Sequence, residues 1–133
     1  MNKTILATAA VMGLLAVILG ALGAHALREV LPTPSLESFQ TGVQYQMYHA
    51  LFLLVLGGSK WLAPASRRWV FRLITAGVIG FSGSIYLLST QALSGMDFSG
   101  IALVTPLGGL LLILGWAALL FNVVKASDRQ EPA

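Results

Sequence analysis

A chain of 133 residues has room for one compact unit. It is 56% hydrophobic and only 10% charged, against about 25% charged in a soluble domain, and its mean hydropathy is +0.81; this excludes an ordinary soluble domain and indicates an integral membrane protein. The absence of cysteine excludes disulfides, thiolate metal sites and a thiol nucleophile, and the net charge of +3 sits at the ends of apolar runs, which fits bilayer orientation rather than nucleic-acid binding.

The first apolar segment runs over about 5–27 and is long enough to cross a hydrocarbon core, which needs roughly 20 residues. Ala24-His25-Ala26 has the form of a signal-peptidase site, but the apolar stretch exceeds the ~7–15 residues of a signal-peptide core, so a retained helix is expected. Gly13, Ala16, Gly20 and Gly23 recur every three or four residues, a small-residue stripe that lets another helix approach. Pro32 and Pro34 follow in the first loop, and Thr33-Pro34 reads as a helix N-cap with proline at the first helical position.

The second helix carries Gln40, Thr41, Gln44, Tyr45, Gln46, Tyr48 and His49 toward the apolar run at Leu51–Leu56, and its membrane part is expected over about 43–62. On a helical wheel Thr41, Tyr45, Tyr48 and His49 share one broad face, expected to point into the protein, with Val43, Met47, Ala50 and Leu51 opposite, facing lipid or another helix. Pro64 is expected to break the helix, with Trp61 and Trp69 as interface anchors around Lys60, Arg67 and Arg68. The third span covers about 69–93; Ala76, Gly80 and Ser84 make a second close-packing series, and its far half bears Ser82, Ser84, Tyr86, Ser89, Thr90 and Gln91. Asp97 lies in the third loop and reads as a solvated turn residue. Thr105-Pro106 repeats the capping pattern and opens the fourth span, about 105–125, before a polar tail over 127–133.

Together these segments predict an all-α integral membrane protein, four transmembrane helices in an up-and-down antiparallel bundle forming a single domain over 1–126. Lys3, Lys60, Arg67, Arg68, Arg72, Lys125 and Arg129 fall on one side and only Arg28 on the other, so both termini are expected in the cytoplasm. No internal repeat is evident, which disfavours a conventional inverted-repeat transporter.

This topology gathers the polar ends of all four helices into the outer leaflet. The candidate ligand-binding residues there are His25, Gln44, Tyr45, Tyr48, His49, Ser84, Tyr86 and Thr105, with His49 expected beside Tyr86 and Gln44 within reach of His25. Polar groups inside a bundle commonly hydrogen-bond each other because lipid offers no partner, so packing is the first reading; an intramembrane histidine makes a small-ligand, lipid or ion site the second. His25 and His49 differ in depth and have no further strong ligand, so neither haem nor metal is expected. No carboxylate lies within a span and no acid orients His49 toward Ser84, so no catalytic residues are assigned.

The motifs Gly20–Leu27, Thr41–Ala50, Phe81–Tyr86, Thr105–Gly109 and Gly115-Trp116 resemble those of the YgdD/YwdK-like family of small bacterial inner-membrane proteins. That resemblance implies a four-span protein of the bacterial inner membrane and brings no reaction, substrate or catalytic residue with it. The expected function is therefore a non-enzymatic structural or accessory membrane factor with the bilayer as partner, self-associating through its glycine faces. The alternative is a small transporter or ligand-binding protein centred on His49.

Overall fold

The computed structural model describes residues 1–127 as four long helices joined by short connections. Helix α1 spans Lys3–Ala24, a short α2 covers Ala26–Val30, α3 spans Thr33–Gly58, α4 spans Pro64–Ser94 and α5 spans Val104–Ser127. One 3-10 turn at Ser99–Ile101 precedes α5. Among the described residues there is no strand. The polar tail expected over 127–133 lies, from residue 128 onward, outside the described residues.

Local chemistry sets the ends. The Asn2 side chain accepts from the Ile5 amide at 3.1 Å and so caps α1. At the other end, His25 leaves helical geometry (φ −119°, ψ −84°) and separates α1 from α2. Pro34 falls in the first turn of α3, where its missing N–H costs nothing. Pro64 does the same for α4 and is therefore a start signal; the helix begins before Arg67, Arg68 and Trp69 rather than at Trp69. Arg67 reaches back to donate from Nη1 to the Ser59 carbonyl at 2.8 Å, and the Asn2 amide donates to Gly57 O at 2.8 Å. These bonds serve carbonyls that the end of α3 would leave unpaired. Gly95 ends α4 at φ 68°, the left-handed conformation that a side chain disfavours. Asp97 accepts from the Ser99 amide at 2.8 Å, a bond that holds its exposed carboxyl below the usual carboxylate range.

Sequential long helices pack as antiparallel neighbours: α1 on α3, α3 on α4, and α4 on α5. Glycines report the register. Along α1, Gly13 faces Ala50, Gly20 faces Val43 and Gly23 faces Phe39, so the small-residue stripe is filled by α3 of the same chain. It is not a free face for a second copy. Along α4, Gly80 meets Gly108 and Gly77 meets Leu112. A Cβ on Gly108 would stand 2.2 Å from the Phe81 backbone nitrogen, so α4 and α5 cross in backbone contact at this level.

Three helical stretches, Lys3–Val30, Pro64–Ser94 and Ser99–Ala126, are long and apolar enough to cross a membrane. The second long helix, α3, has the length at 26 residues, about 39 Å, but its polar run keeps it from that group. It lies between α1 and α4 and buries Phe39, Gly42, Gln46, His49, Leu53 and Leu56 along one stripe. Below the polar level the core is hydrocarbon, with Ile5, Leu53, Leu56, Val70 and Ile74 at 0–1% exposure. Large apolar side chains such as Val17, Ile79, Ile113 and Leu120 point outward, as a lipid solvent requires.

The Gly108 crossing is testable. Gly108→Ala should lower stability in micelles by about 1–3 kcal/mol, because the new methyl meets backbone that cannot yield. Gly83→Ala, where a Cβ meets nothing within 4 Å, should leave the unfolding midpoint unchanged or slightly raised. Equal losses in the two variants would refute the backbone contact.

Candidate functional site

The buried polar residues lie on the stripe of α3 that faces other helices. Gln46, 6% exposed, is its centre. Its Nε2 donates to the Met12 carbonyl of α1 at 2.8 Å, and its Oε1 accepts from the Tyr86 hydroxyl of α4 at 2.7 Å. The Met12 carbonyl can only accept, which fixes the amide orientation and leaves Oε1 for the phenol. One side chain thus ties three helices together. Gly42, one turn earlier, makes this possible: a Cβ there would lie 2.9 Å from Tyr86 Cε1. The Gly42 carbonyl in turn accepts from Ser82 Oγ at 2.7 Å.

His49 lies one turn further along α3 and joins it to α5. Its Nδ1 is 2.6 Å from the Tyr45 carbonyl, and its Nε2 is 3.1 Å from the indole Nε1 of Trp116. A carbonyl only accepts and an indole N–H only donates. Nδ1 therefore carries the proton, Nε2 accepts, and the ring is neutral with both nitrogens occupied. The Trp116 ring also packs on Phe52, with centroids 4.7 Å apart. Ser84 and Thr105 complete the set, their hydroxyls 2.6 Å apart across α4 and α5.

Of the residues expected to form a site, His49, Ser84, Tyr86 and Thr105 join this interhelical network. The other four do not. Gln44 is exposed, and Tyr45 and Tyr48 are 41% and 58% exposed, with the Tyr45 ring against Phe81 at 4.9 Å. The face of α3 expected to point inward is therefore rotated: Tyr45 and Tyr48 are outside, while Ala50, on the face expected toward lipid or another helix, packs against Gly13 of α1. His25 is exposed at the α1–α2 break and lines a surface cavity with Arg28 and Glu29. Since Gly23 faces Phe39 in an antiparallel pair, His25 stands level with about residue 37, some twelve residues along the bundle from His49, roughly 18 Å. The two histidines cannot share a ligand, nor does Gln44 bond His25. His49 and Tyr86 are not hydrogen-bonded to each other; each has its own partner.

Gln46, Ser82 and Trp116 were missing from the sequence-derived set. Gln46 had a signal: it is four residues from Gly42, three from His49 and seven from Phe39 and Leu53, all buried. The tyrosines drew the wheel toward their own face, yet an amphipathic tyrosine is at home against lipid near an interface. Trp116 had no such signal, because its pairing with His49 spans 67 positions.

A family profile described as "Protein of unknown function (DUF423)" matches residues 19–109. The chain belongs to this DUF423 family. It is 39% identical to the membrane protein YwdK of Bacillus subtilis, covering 92% of this chain and 98% of the relative. It is 33% identical to the inner membrane protein YgdD of Escherichia coli, covering 93% and 92%, and 31% identical to a membrane protein of Haemophilus influenzae, covering 96% and 99%. No solved structure matches. The match includes Gln46, His49, Ser82, Ser84, Tyr86 and Thr105 but stops short of Trp116. Family and relatives establish a membrane protein, and neither the description nor the names indicate a reaction.

The Gln46–Tyr86 bond makes a quantitative prediction. Tyr86→Phe should destabilise the protein by about 1 kcal/mol, since it leaves Oε1 buried without a donor. In the Gln46→Met background the same change should cost distinctly less. A double-mutant cycle of unfolding in micelles that shows no coupling would contradict the bond.

Proposed function

We propose that this DUF423 protein is a non-catalytic, multi-pass protein of the bacterial inner membrane, an accessory or membrane-organising factor whose buried polar residues hold its helices in register. One observation carries this reading: both nitrogens of the His49 ring are bonded, one to α3 and one to α5, and the Gln46 carboxamide bonds α1 through its nitrogen and α4 through its oxygen, keeping one Nε2 hydrogen. A general base, a metal ligand or a proton carrier needs a free ring nitrogen, and His49 has none. Four cavities among the described residues are lined by none of His49, Gln46 and Tyr86, although His25 lines one and Thr105 another. This supports the structural reading over a transporter or binding protein centred on His49.

Orientation belongs to the same proposal. The basic ends of α1, α4 and α5 favour cytoplasmic termini, with the α4–α5 loop outside. The chain has no native cysteine, so single cysteines report without background. Ser99→Cys should react with an impermeant maleimide in intact spheroplasts, and Ala65→Cys only after lysis. The opposite pattern would overturn the orientation.

The structural role of His49 separates the two functional readings. His49→Ala should lower stability by about 1–2 kcal/mol, because it strands the Trp116 N–H and opens the packing. Native mass spectrometry of the wild type released from lipid should show no small-molecule adduct that depends on His49. A stoichiometric adduct that disappears in a His49→Ala protein of wild-type stability would establish the binding reading instead.

A further inference from the structure

The opposite end of the bundle holds polar groups that its packing does not use. Where the α3–α4 turn, the start of α4 and the end of α5 meet, a cavity of about 220 Å³ is lined by Trp61, Ala63, Ser66, Asn122 and Lys125, among others. Two of these side chains are held in place by each other: Ser66 Oγ donates to Asn122 Oδ1 at 2.6 Å, and Asn122 Nδ2 donates to the Ala118 carbonyl at 2.7 Å. An amide nitrogen has two hydrogens, so one N–H of Asn122 remains to donate. The start of α4 adds more donors. It has no side-chain cap, Pro64 has no N–H, and the Arg67 amide bonds Ala63 O, which leaves the Ala65 and Ser66 amides without a helical acceptor.

Charge points the same way. Lys125 lines the cavity, with Lys60, Arg67 and Arg68 on the adjoining turn and first helical turns. Nε of Arg67 is buried with no partner. The carboxylates among the described residues, Glu29, Glu37 and Asp97, all lie at the other end of the bundle. Donors and cations therefore gather around a cavity where no described carboxylate answers them. Trp61, 45% exposed at its mouth, is a residue type favoured at the depth of lipid headgroups.

We propose that this cavity seats the phosphate oxyanion of an anionic phospholipid of the bilayer. Lys125 supplies the charge, the Asn122 amide and the first free amides of α4 supply directional donors, and Trp61 packs against the glycerol region. Basic pockets between helices at the positive face of a membrane protein are suited to this headgroup chemistry. A soluble phosphate would satisfy the same donors, so the test separates the two sources.

Full-length protein in detergent would be mixed with dioleoylphosphatidylglycerol, with dioleoylphosphatidylcholine and, separately, with inorganic phosphate. Retained lipid is then read by native mass spectrometry and stability by thermal melting. The wild type should retain phosphatidylglycerol over phosphatidylcholine, and Lys125→Gln should reduce that retention about fivefold with an unchanged melting temperature. Lys125→Arg should restore it. Arg28→Gln, which removes an exposed cation at the other end, should behave as wild type. Equal retention of the two lipids, or equal retention by Lys125→Gln and wild type, would overturn the proposal. Inorganic phosphate that stabilises the wild type and displaces phosphatidylglycerol would reassign the cavity to soluble phosphates and overturn the lipid assignment.

Discussion

A primary amide inside a membrane protein must find partners among its neighbours, and the rest of this structure is arranged around how Gln46 finds them. Its nitrogen donates to α1 and its oxygen accepts from α4, while the residue itself belongs to α3. Each bond is worth little alone, because the separated helices would find other partners in lipid. The alternative of an unpaired amide in hydrocarbon is costly enough to select one register among many. Gly42 and Ser82 then follow as consequences. The glycine clears the path of the Tyr86 ring, and the serine serves the Gly42 carbonyl at the surface this exposes.

Close approach and polar bonding reinforce each other elsewhere too. On α4 and α5, Gly80 and Gly108 bring two backbones together, and one turn away the Ser84 and Thr105 hydroxyls meet at 2.6 Å. Small residues without hydroxyl partners would leave the helices free to slide, and hydroxyls on a wider crossing would not reach. The same economy explains how α3, the most polar of the expected spans, resides in the bundle: it turns Gln46 and His49 toward α1, α4 and α5 and leaves its tyrosines exposed. His49 is neutral for a geometric reason, its two nitrogens placed between a carbonyl and an indole N–H.

Much of this was legible beforehand. Helix number and the small-residue faces depend on local chemistry and on spacing within one helix; the prolines at 34 and 106 do lie in first turns, but Thr33 and Thr105 are helical residues and not the expected N-caps, since α3 is preceded by Pro32 and α5 begins at Val104. The participation of His49, Ser84, Tyr86 and Thr105 in interhelical bonds followed from antiparallel topology and depth. Their pairing did not. Depth says which residues share a level, but rotation of each helix about its own axis decides which of them meet. That rotation is set by the glycine contacts, through which α3 presents Gln46 and His49 rather than Tyr45 and Tyr48 to its neighbours.

The amino-acid sequence by itself therefore determined a helical membrane protein, the number of its long helices and the level at which polar groups collect, because each follows from hydropathy and charge along one dimension. Only the tertiary structure decided that Gln46 rather than Gln44 is the hub, that Trp116 closes His49, that the α1 stripe is spent within the chain, and that a donor-rich cavity forms between Ser66, Asn122 and Lys125. Each depends on the azimuth at which separate helices face one another, a quantity set by the fit of several surfaces at once and carried by none of them alone.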